Sequence, residues 1–203
     1  MTRSRRHRTS TTRTQGTRRS SPALLPATGF APGIQTLLPG QPATSQYAAT
    51  DLWLEIPAIG VKLPIVGVPL TNGDWNVSWL ADQAGWLGGT AYPTWDGNSV
   101  LTGHVFDANG EAGPFVSLNK VKWGDRIIIH MNGYSYIYQV RENRVVKPYD
   151  RSPLKHEEDP WVTLITCMTY NEDTNTYANR VSVRAVLVSV VKDVNSNPAS
   201  NIR

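Results

Sequence analysis

The lone cysteine of this chain, Cys167, and one of its four histidines, His104, are the residues whose types and positions could support nucleophilic catalysis. Cys167 ends an apolar, β-branched run, and His104 follows Gly103 where a predicted strand gives way to a loop, a common place for catalytic groups. A cysteine nucleophile needs a thiolate, a proton carrier and a group that stabilises the oxyanion. Arg180, which is always charged, could lower the thiol pKa or hold the negative oxygen. The alternative is that the cysteine is a small core residue, which is the commoner use of a lone thiol.

Two predicted strands must position the cysteine and the arginine. Residues 161–167 and 181–188 are rich in β-branched residues, and polar turn-formers at 171–175 separate them. If the runs pair antiparallel, the end of the first lies beside the start of the second. This pairing places Cys167 near Arg180.

The rest of the chain also predicts short strands and frequent turns. Asn132-Gly133 is a strong hairpin signal between two apolar runs. No long segment has a helical period, so the pattern favours a mostly β domain built as a closed barrel or a sandwich. The other predicted strands cover residues 52–56, 61–66, 99–105, 125–130 and 134–141.

Charge and composition divide the chain into four parts. Residues 1–22 form a basic arm that is predicted to be disordered, because residues 1–20 hold seven arginines and no acid. Residues 23–50 form a Pro/Gly/Ala/Thr-rich linker, residues 51–194 the folded domain, and residues 195–203 a C-terminal tail. The net charge of +4 therefore belongs to the arm, and the rest of the chain holds 13 Lys and Arg against 16 acids. A nucleic-acid partner is not expected.

The sequence excludes some further arrangements. One cysteine rules out an internal disulfide and a cysteine-rich metal site. No apolar run approaches membrane-spanning length, and no apolar segment follows the arginine-rich start, so no export or anchoring segment is predicted. The acids at 157–159 precede the cysteine strand, but adjacent acids are commonly a solvated loop. No metal and no cofactor are predicted.

Three short motifs give the chain a resemblance to sortases, the bacterial cysteine transpeptidases. The run 163–167 resembles their TLxTC signature, 102–104 resembles the segment that carries their histidine, and 179–181 resembles the segment that carries their arginine. The order of the three motifs resembles that family, as do the separations of His104 from Cys167 and of Cys167 from Arg180. Gly113-Pro114-Phe115 matches its mid-domain pattern, and the likeness covers about residues 51–191.

The resemblance implies an eight-stranded β-barrel with short helices and acyl-transfer chemistry. It implies that Cys167 attacks the carbonyl between Thr and Gly of an LPxTG-type signal, with Arg180 at the oxyanion and His104 as the proton carrier. Thr102 and Thr166 are expected to line the groove, although a core-facing role for Thr166 is equally open. The implied acceptor is an amine of peptidoglycan or of a surface-protein lysine, at the extracellular face of the bacterial membrane.

The linker contains an LPxTG string of its own at Leu25-Pro26-Ala27-Thr28-Gly29. It lacks the C-terminal context of a sorting signal, so we interpret it as a tethered pseudo-substrate that limits activity. A chance match in a proline-containing linker is the alternative.

Two rival functions remain open from the sequence. An L,D-transpeptidase would also use a cysteine on a β scaffold, but its Ser-x-Gly-Cys motif is absent. A non-enzymatic carbohydrate- or wall-binding β module is favoured by the seven tryptophans and the basic arm.

Overall fold

A computed structural model describes residues 47–107, 110–171, 173–174 and 176–193, together with the main chain of two short strands near the N-terminus. The strands are β1 Leu24–Leu25, β2 Thr36–Leu37, β3 Trp53–Ile56, β4 Val61–Val68, β5 Leu70–Thr71, β6 Asp74–Trp75, β7 Ala84–Leu87, β8 Gly97–Thr102, β9 Arg126–Met131, β10 Tyr134–Val146, β11 Pro160–Asn171 and β12 Thr176–Lys192. Three short 3₁₀ helices cover Pro57–Ile59, Leu118–Lys120 and Ser152–Leu154.

Eight of these strands close into a barrel in the order β10-β12-β11-β8-β7-β4-β3-β9. Neighbouring strands are antiparallel except for two parallel pairs, β4 with β7 and β8 with β11. The predicted mostly β fold, as a closed eight-stranded barrel with short helices, is confirmed.

The hairpin between β9 and β10 forms where the sequence predicts it. Asn132 and Gly133 have φ values of 52° and 75°, the left-handed conformation that a two-residue hairpin loop requires and that these residue types adopt readily. The turn sets the register that pairs Tyr134 with Met131.

The two faces of the barrel wall bury different apolar sets. Alternate strand residues point inward and form the main core, to which Leu101, Leu164 and Val183 belong. A second apolar cluster lies on the outer face and includes Val100 and Ile165. It is covered by side chains from outside the eight strands, including Tyr47, Val77 and Leu80. This outer cluster extends towards the end of β8 and β11.

β11 and β12 run further than the sequence indicates. β11 continues past Cys167 to Asn171, and β12 already begins at Thr176. The extra residues include Thr169, Tyr170, Thr176 and Tyr177, whose types favour strands. The predicted turn is therefore shorter, and Cys167 lies within a strand rather than at its edge. Among the described residues no helix has the length and apolar character needed to cross a bilayer.

Candidate active site

Cys167 and Arg180 are direct cross-strand partners on β11 and β12, as the sequence predicts. Leu164 and Val183 of the same strands point into the barrel core, so alternation turns Cys167 and Arg180 to the outer face. Both residues are nevertheless buried, at 8% and 5% exposure. A thiol and a guanidinium thus share a site that is largely removed from water.

The parallel pairing of β8 with β11 brings the end of β8, which His104 follows, towards Cys167. The six residues of β8 pair one by one with Pro160 to Ile165, so the offset in sequence number is the same for every pair. The ladder ends at Thr102 and Ile165, and the Thr166 Oγ1 donates to the carbonyl oxygen of Gly103, which links the residue before Cys167 to the residue before His104. The separation of His104 from Cys167 in the sequence equals the offset of this ladder.

Thr102 and Thr166 continue this register through their hydroxyl groups. The Thr102 Oγ1 donates to the carbonyl oxygen of Ile165 at 3.0 Å, and the Thr166 Oγ1 donates to that of Gly103 at 2.7 Å. Both residues are buried. These hydrogen bonds tie the end of β8 to β11, and a contact of either threonine with substrate stays a prediction.

Two glycines allow the chain to pack closely around His104. A Cβ on Gly113 would lie 2.6 Å from the His104 carbonyl oxygen, and a Cβ on Gly103 would lie 3.0 Å from the Phe115 ring. The Phe115 amide donates to that same His104 carbonyl at 2.9 Å. The segment 113–115 therefore fixes the main chain of His104, which gives the Gly-Pro-Phe pattern a physical role.

The imidazole of His104 is half-buried against the segment that covers the outer apolar cluster. Burial lowers the pKa of His104 below its ordinary value, while main-chain hydrogen bonds to Val77 and Ser78 and the negative charge of Asp107 act in the opposite direction. The neutral imidazole is thus favoured, which suits a group that exchanges protons.

Burial raises the pKa of the Cys167 thiol, and the positive charge of Arg180 offsets part of that rise. The guanidinium is held by the main chain, since its Nη1 donates to the carbonyl oxygen of Asn179 at 3.0 Å and to that of Tyr177 at 3.4 Å. These bonds hold the guanidinium near the start of β12.

Tyr177 is a residue of this site that the sequence did not single out. Its side chain is buried, and its ring centroid lies 5.1 Å from that of Tyr170. Burial raises the pKa of Tyr177 to about 12, and negative charge on Cys167 adds to the rise. The phenol therefore stays neutral beside the thiolate. In the sequence, only its position three residues before Arg180 indicates that Tyr177 could lie near the site.

The segment between β10 and β11 is fastened to the barrel at the start of β8, away from Cys167. The buried amide of Asn98 donates from its Nδ2 to the carbonyl oxygens of Pro153 at 2.8 Å and Lys155 at 2.9 Å. Arg184 binds Glu157 at 2.5 Å, so this acid of the 157–159 run is engaged in an ion pair. Among the described residues, no group of three or more His, Cys, Asp or Glu side chains could hold a metal ion.

Known proteins share this architecture. A family model described as "Sortase domain" matches residues 54–188. Sortase C-1 from Actinomyces oris is 32% identical over 68% of this chain and 73% of its own, with a TM-score of 0.56. A lid mutant of sortase A from Corynebacterium diphtheriae is 31% identical over 73% of this chain and 74% of its own, with a TM-score of 0.58. Sortase C1 from Streptococcus agalactiae is 30% identical over 68% of this chain and 66% of its own, with a TM-score of 0.57. The comparison with curated protein sequences gave no match.

Proposed function

Because the chain belongs to the sortase family, we propose that it is a cysteine transpeptidase that cleaves an LPxTG-type sorting signal between Thr and Gly and transfers the fragment to an amine. The observation that carries the proposal is the direct pairing of Cys167 with Arg180 on adjacent strands. The constant offset between β8 and β11, which equals the separation of His104 from Cys167 in the sequence, supports it further. Together these residues supply a nucleophile, a fixed positive charge and a proton carrier.

In the first half-reaction the thiolate of Cys167 attacks the Thr carbonyl carbon. A C–S bond forms, and the carbonyl oxygen becomes an oxyanion next to the guanidinium of Arg180. The C–N bond to Gly then breaks as the imidazolium of His104 gives its proton to the departing amine. The product is a thioacyl-enzyme.

In the second half-reaction an amine attacks the thioester. Neutral His104 accepts the proton of the incoming nitrogen, the C–S bond breaks, and Cys167 leaves as a thiolate. We propose the amine of peptidoglycan or of a surface-protein lysine as the acceptor, at the extracellular face of the bacterial membrane. If water replaces the amine, the same site acts as a hydrolase.

Thr102 and Thr166 belong to the proposal as residues near the reacting bond. Their hydroxyl groups already donate to main-chain carbonyls, so a substrate would meet their remaining acceptor capacity and their methyl groups. Substitution by Val keeps the methyl groups and the size, and it separates a groove contact from a tie between strands. A higher KM with unchanged stability would indicate the groove, and lower stability with unchanged KM would indicate the tie.

The function is tested by incubating the protein with LPxTG peptides and a simple amine and identifying the products by mass. The proposal expects cleavage between Thr and Gly, an amide product with the amine, and a covalent adduct on Cys167. Cys167→Ala should lose all three. Cleavage that persists in this variant would contradict the proposal.

A non-enzymatic wall-binding module is the second candidate function, because Trp95 and Trp123 are 65% and 71% exposed and could stack on sugars. The two candidates differ in the chemistry of Cys167. The enzyme requires a thiol that reacts with a peptide-sized electrophile, whereas the module requires glycan binding that Trp95→Ala or Trp123→Ala abolishes.

We further propose that the LPATG string at 25–29 binds the groove of its own chain and limits activity. Apart from the main chain of Leu25 in β1, it lies outside the described residues. Tethering supports this role, because a segment joined through about twenty linker residues to the domain is present at an effective concentration in the millimolar range. Even a weakly binding string would then compete with an added peptide.

This competition is tested in the full chain. Leu25→Ala combined with Pro26→Ala should raise the rate at which an added LPxTG peptide is cleaved. Leu38→Ala combined with Pro39→Ala is the matched control, because it removes a second Leu-Pro pair from the same linker. Equal rates for wild type and the first variant would remove the autoinhibitory role. Cleavage at Thr28-Gly29 would appear as a mass change that Cys167→Ala abolishes.

A further inference from the structure

Pairing between β11 and β12 is interrupted immediately beyond the cysteine. Cys167 pairs with Arg180 and Met168 with Asn179, and pairing then resumes only at Tyr170 with Tyr177. The register is the same on both sides, so Thr169 and Ala178 face each other without a regular ladder between them. The flanking pairs keep the register, while the Thr169 position itself is left to side-chain contacts.

Thr169 adopts a conformation that its residue type disfavours. Its φ of 62° lies in the left-handed region, which is a genuine outlier for a β-branched residue. Such a conformation persists only where the surroundings impose it. It lies two residues after Cys167, so any relaxation of Thr169 would displace the end of the strand that carries the sulfur.

Asn179 makes the contacts that span this gap. Its Nδ2 donates to the Thr169 Oγ1 at 3.3 Å, and its Oδ1 accepts from the Lys147 Nζ at 3.1 Å. Its carbonyl oxygen accepts from the guanidinium of Arg180 at 3.0 Å. One residue therefore links the strand ends of β10 and β11 to the guanidinium.

We propose that Asn179 is a positioning residue for the reaction, and that it sets the distance between the sulfur of Cys167 and the guanidinium of Arg180 by holding Thr169 in its left-handed conformation. Lys147 fixes the orientation of the Asn179 amide, so that the Nδ2 faces Thr169. This role rests on the proposed function, because it matters only if Cys167 and Arg180 act on one carbonyl group. Asn179 itself touches no reacting atom.

The test measures the effect of Asn179→Ala in two backgrounds, wild type and Thr169→Gly. Loss of the amide should let Thr169 relax and lower kcat by about tenfold with KM unchanged, since a small displacement of catalytic groups is costly. Glycine adopts the left-handed conformation without strain, so in the Thr169→Gly background Asn179→Ala should change kcat little.

Lys147→Met should lower kcat less than Asn179→Ala does. Asn119→Ala, on the exposed 3₁₀ helix, is the matched control and should leave kcat unchanged.

The alkylation rate of Cys167 by iodoacetamide at several pH values gives a second measurement that needs no peptide. The same pattern is expected: Asn179→Ala shifts the profile to higher pH in the wild-type background and does not do so beside Thr169→Gly. An unchanged kcat and profile in Asn179→Ala, or an equal loss in both backgrounds, would overturn the positioning role. If wild type cleaves no LPxTG peptide, the proposed function fails, and the alkylation profiles still decide the role of Asn179.

Discussion

The two ends of β12 carry two different polar clusters. Near its start Arg180 lies across from Cys167, and beyond its end Asp193 joins a cluster with Glu55, His130 and Ser135. The ends are about 40 Å apart along the strand, at about 3.3 Å per residue. The second cluster contains a serine, a histidine and two acids, which is the residue set of a hydrolytic triad. The first cluster, however, is the one that we propose to be catalytic.

The difference lies in where the protons go. In the distal cluster the Ser135 hydroxyl donates to Asp193, and its oxygen lies 3.0 Å from the His130 Nδ1. The His130 Nε2 lies 2.9 Å from the Glu55 Oε2. Because Ser135 has a single proton and donates it to Asp193, its oxygen can only accept in the contact with His130. The serine proton is therefore directed at a carboxylate and not at the imidazole, unlike that of a hydrolytic triad.

The Cys167 end is arranged in the opposite way. His104 is half-buried and the sulfur of Cys167 is removed from water, so the charged forms of both are disfavoured. A satisfied network stabilises the fold, whereas buried groups with shifted pKa values mark a candidate functional site. The presence of the right residue types therefore identifies a site less well than their hydrogen-bond partners do.

Removing the two nucleophile candidates gives the largest contrast. We expect Cys167→Ala to lower peptide cleavage by at least about a thousandfold, as removal of a nucleophile does. Ser135→Ala should leave kcat unchanged. Peptide cleavage rates measure the difference between the two variants, and thermal unfolding shows whether each is folded. A folded but inactive Ser135→Ala would contradict the distinction between the two clusters.

The two histidines give the next contrast. His104→Gln should lower kcat by about 10²–10⁴-fold, because the proton carrier is lost. His130→Gln should keep the wild-type kcat. Single-turnover cleavage with mass detection of the thioacyl-enzyme locates the loss. A His104→Gln variant with normal turnover would remove this residue from the mechanism.

Removing the charge of Arg180 should lower kcat by about 10²–10³-fold, the usual loss for one oxyanion donor. Arg180→Gln keeps a polar side chain without the charge. Arg184→Gln is the control, since Arg184 also lies on β12 but binds Glu157 outside the site. Equal losses in the two variants would point to general damage of the strand.

The pH dependence of Cys167 sharpens the comparison in a different way. Burial raises the pKa of the thiol, so the alkylation rate should rise about tenfold per pH unit towards a midpoint above the ordinary thiol value of about 8.5. The charge of Arg180 lowers this pKa, and Arg180→Gln should therefore move the midpoint higher. Burial lowers the pKa of His104, and cleavage needs both the thiolate of Cys167 and the imidazolium of His104. Peptide cleavage should therefore be fastest at a pH between the pKa values of these two groups and should fall on both sides. A thiol midpoint below the ordinary value would contradict the predicted direction.

The smallest effect is expected at the distal cluster. His130→Gln should lower the free energy of unfolding by about 1–3 kcal/mol, because it removes the ring nitrogens that contact Glu55 and Ser135. Urea unfolding at neutral pH measures the change. A variant as stable as wild type would show that this network is not what secures the end of β12.

Much of the fold can be predicted from local sequence patterns. The Asn132-Gly133 turn, the alternation of apolar residues and the pairing that sets Arg180 opposite Cys167 are each specified by neighbouring residues, and the structure confirms them. The ends of β11 and β12 were predicted wrongly, because polar strand-forming residues such as Thr176 resemble turn residues in a single sequence. The catalytic roles of His104, Cys167 and Arg180 stay predictions.

Other parts of the site depend on long-range packing and leave no local signal. Asn98 contacts Pro153 and Lys155, which are distant in the sequence, and nothing near Asn98 in the chain indicates this. The strain at Thr169 and the burial of Tyr177 likewise follow from how strands meet. Sequence periodicity describes each strand but not the neighbours that the closed barrel provides.

The parallel pair of β8 with β11 also bears on how the protein matures. Two strands so far apart in the sequence enclose a long stretch of chain, so the contacts between them are non-local and slow to form. During synthesis His104 emerges long before Cys167, and Arg180 follows last. We expect a chain that is still being synthesised to carry no working catalyst until its final strand is free, and activity then to arise in a single late step.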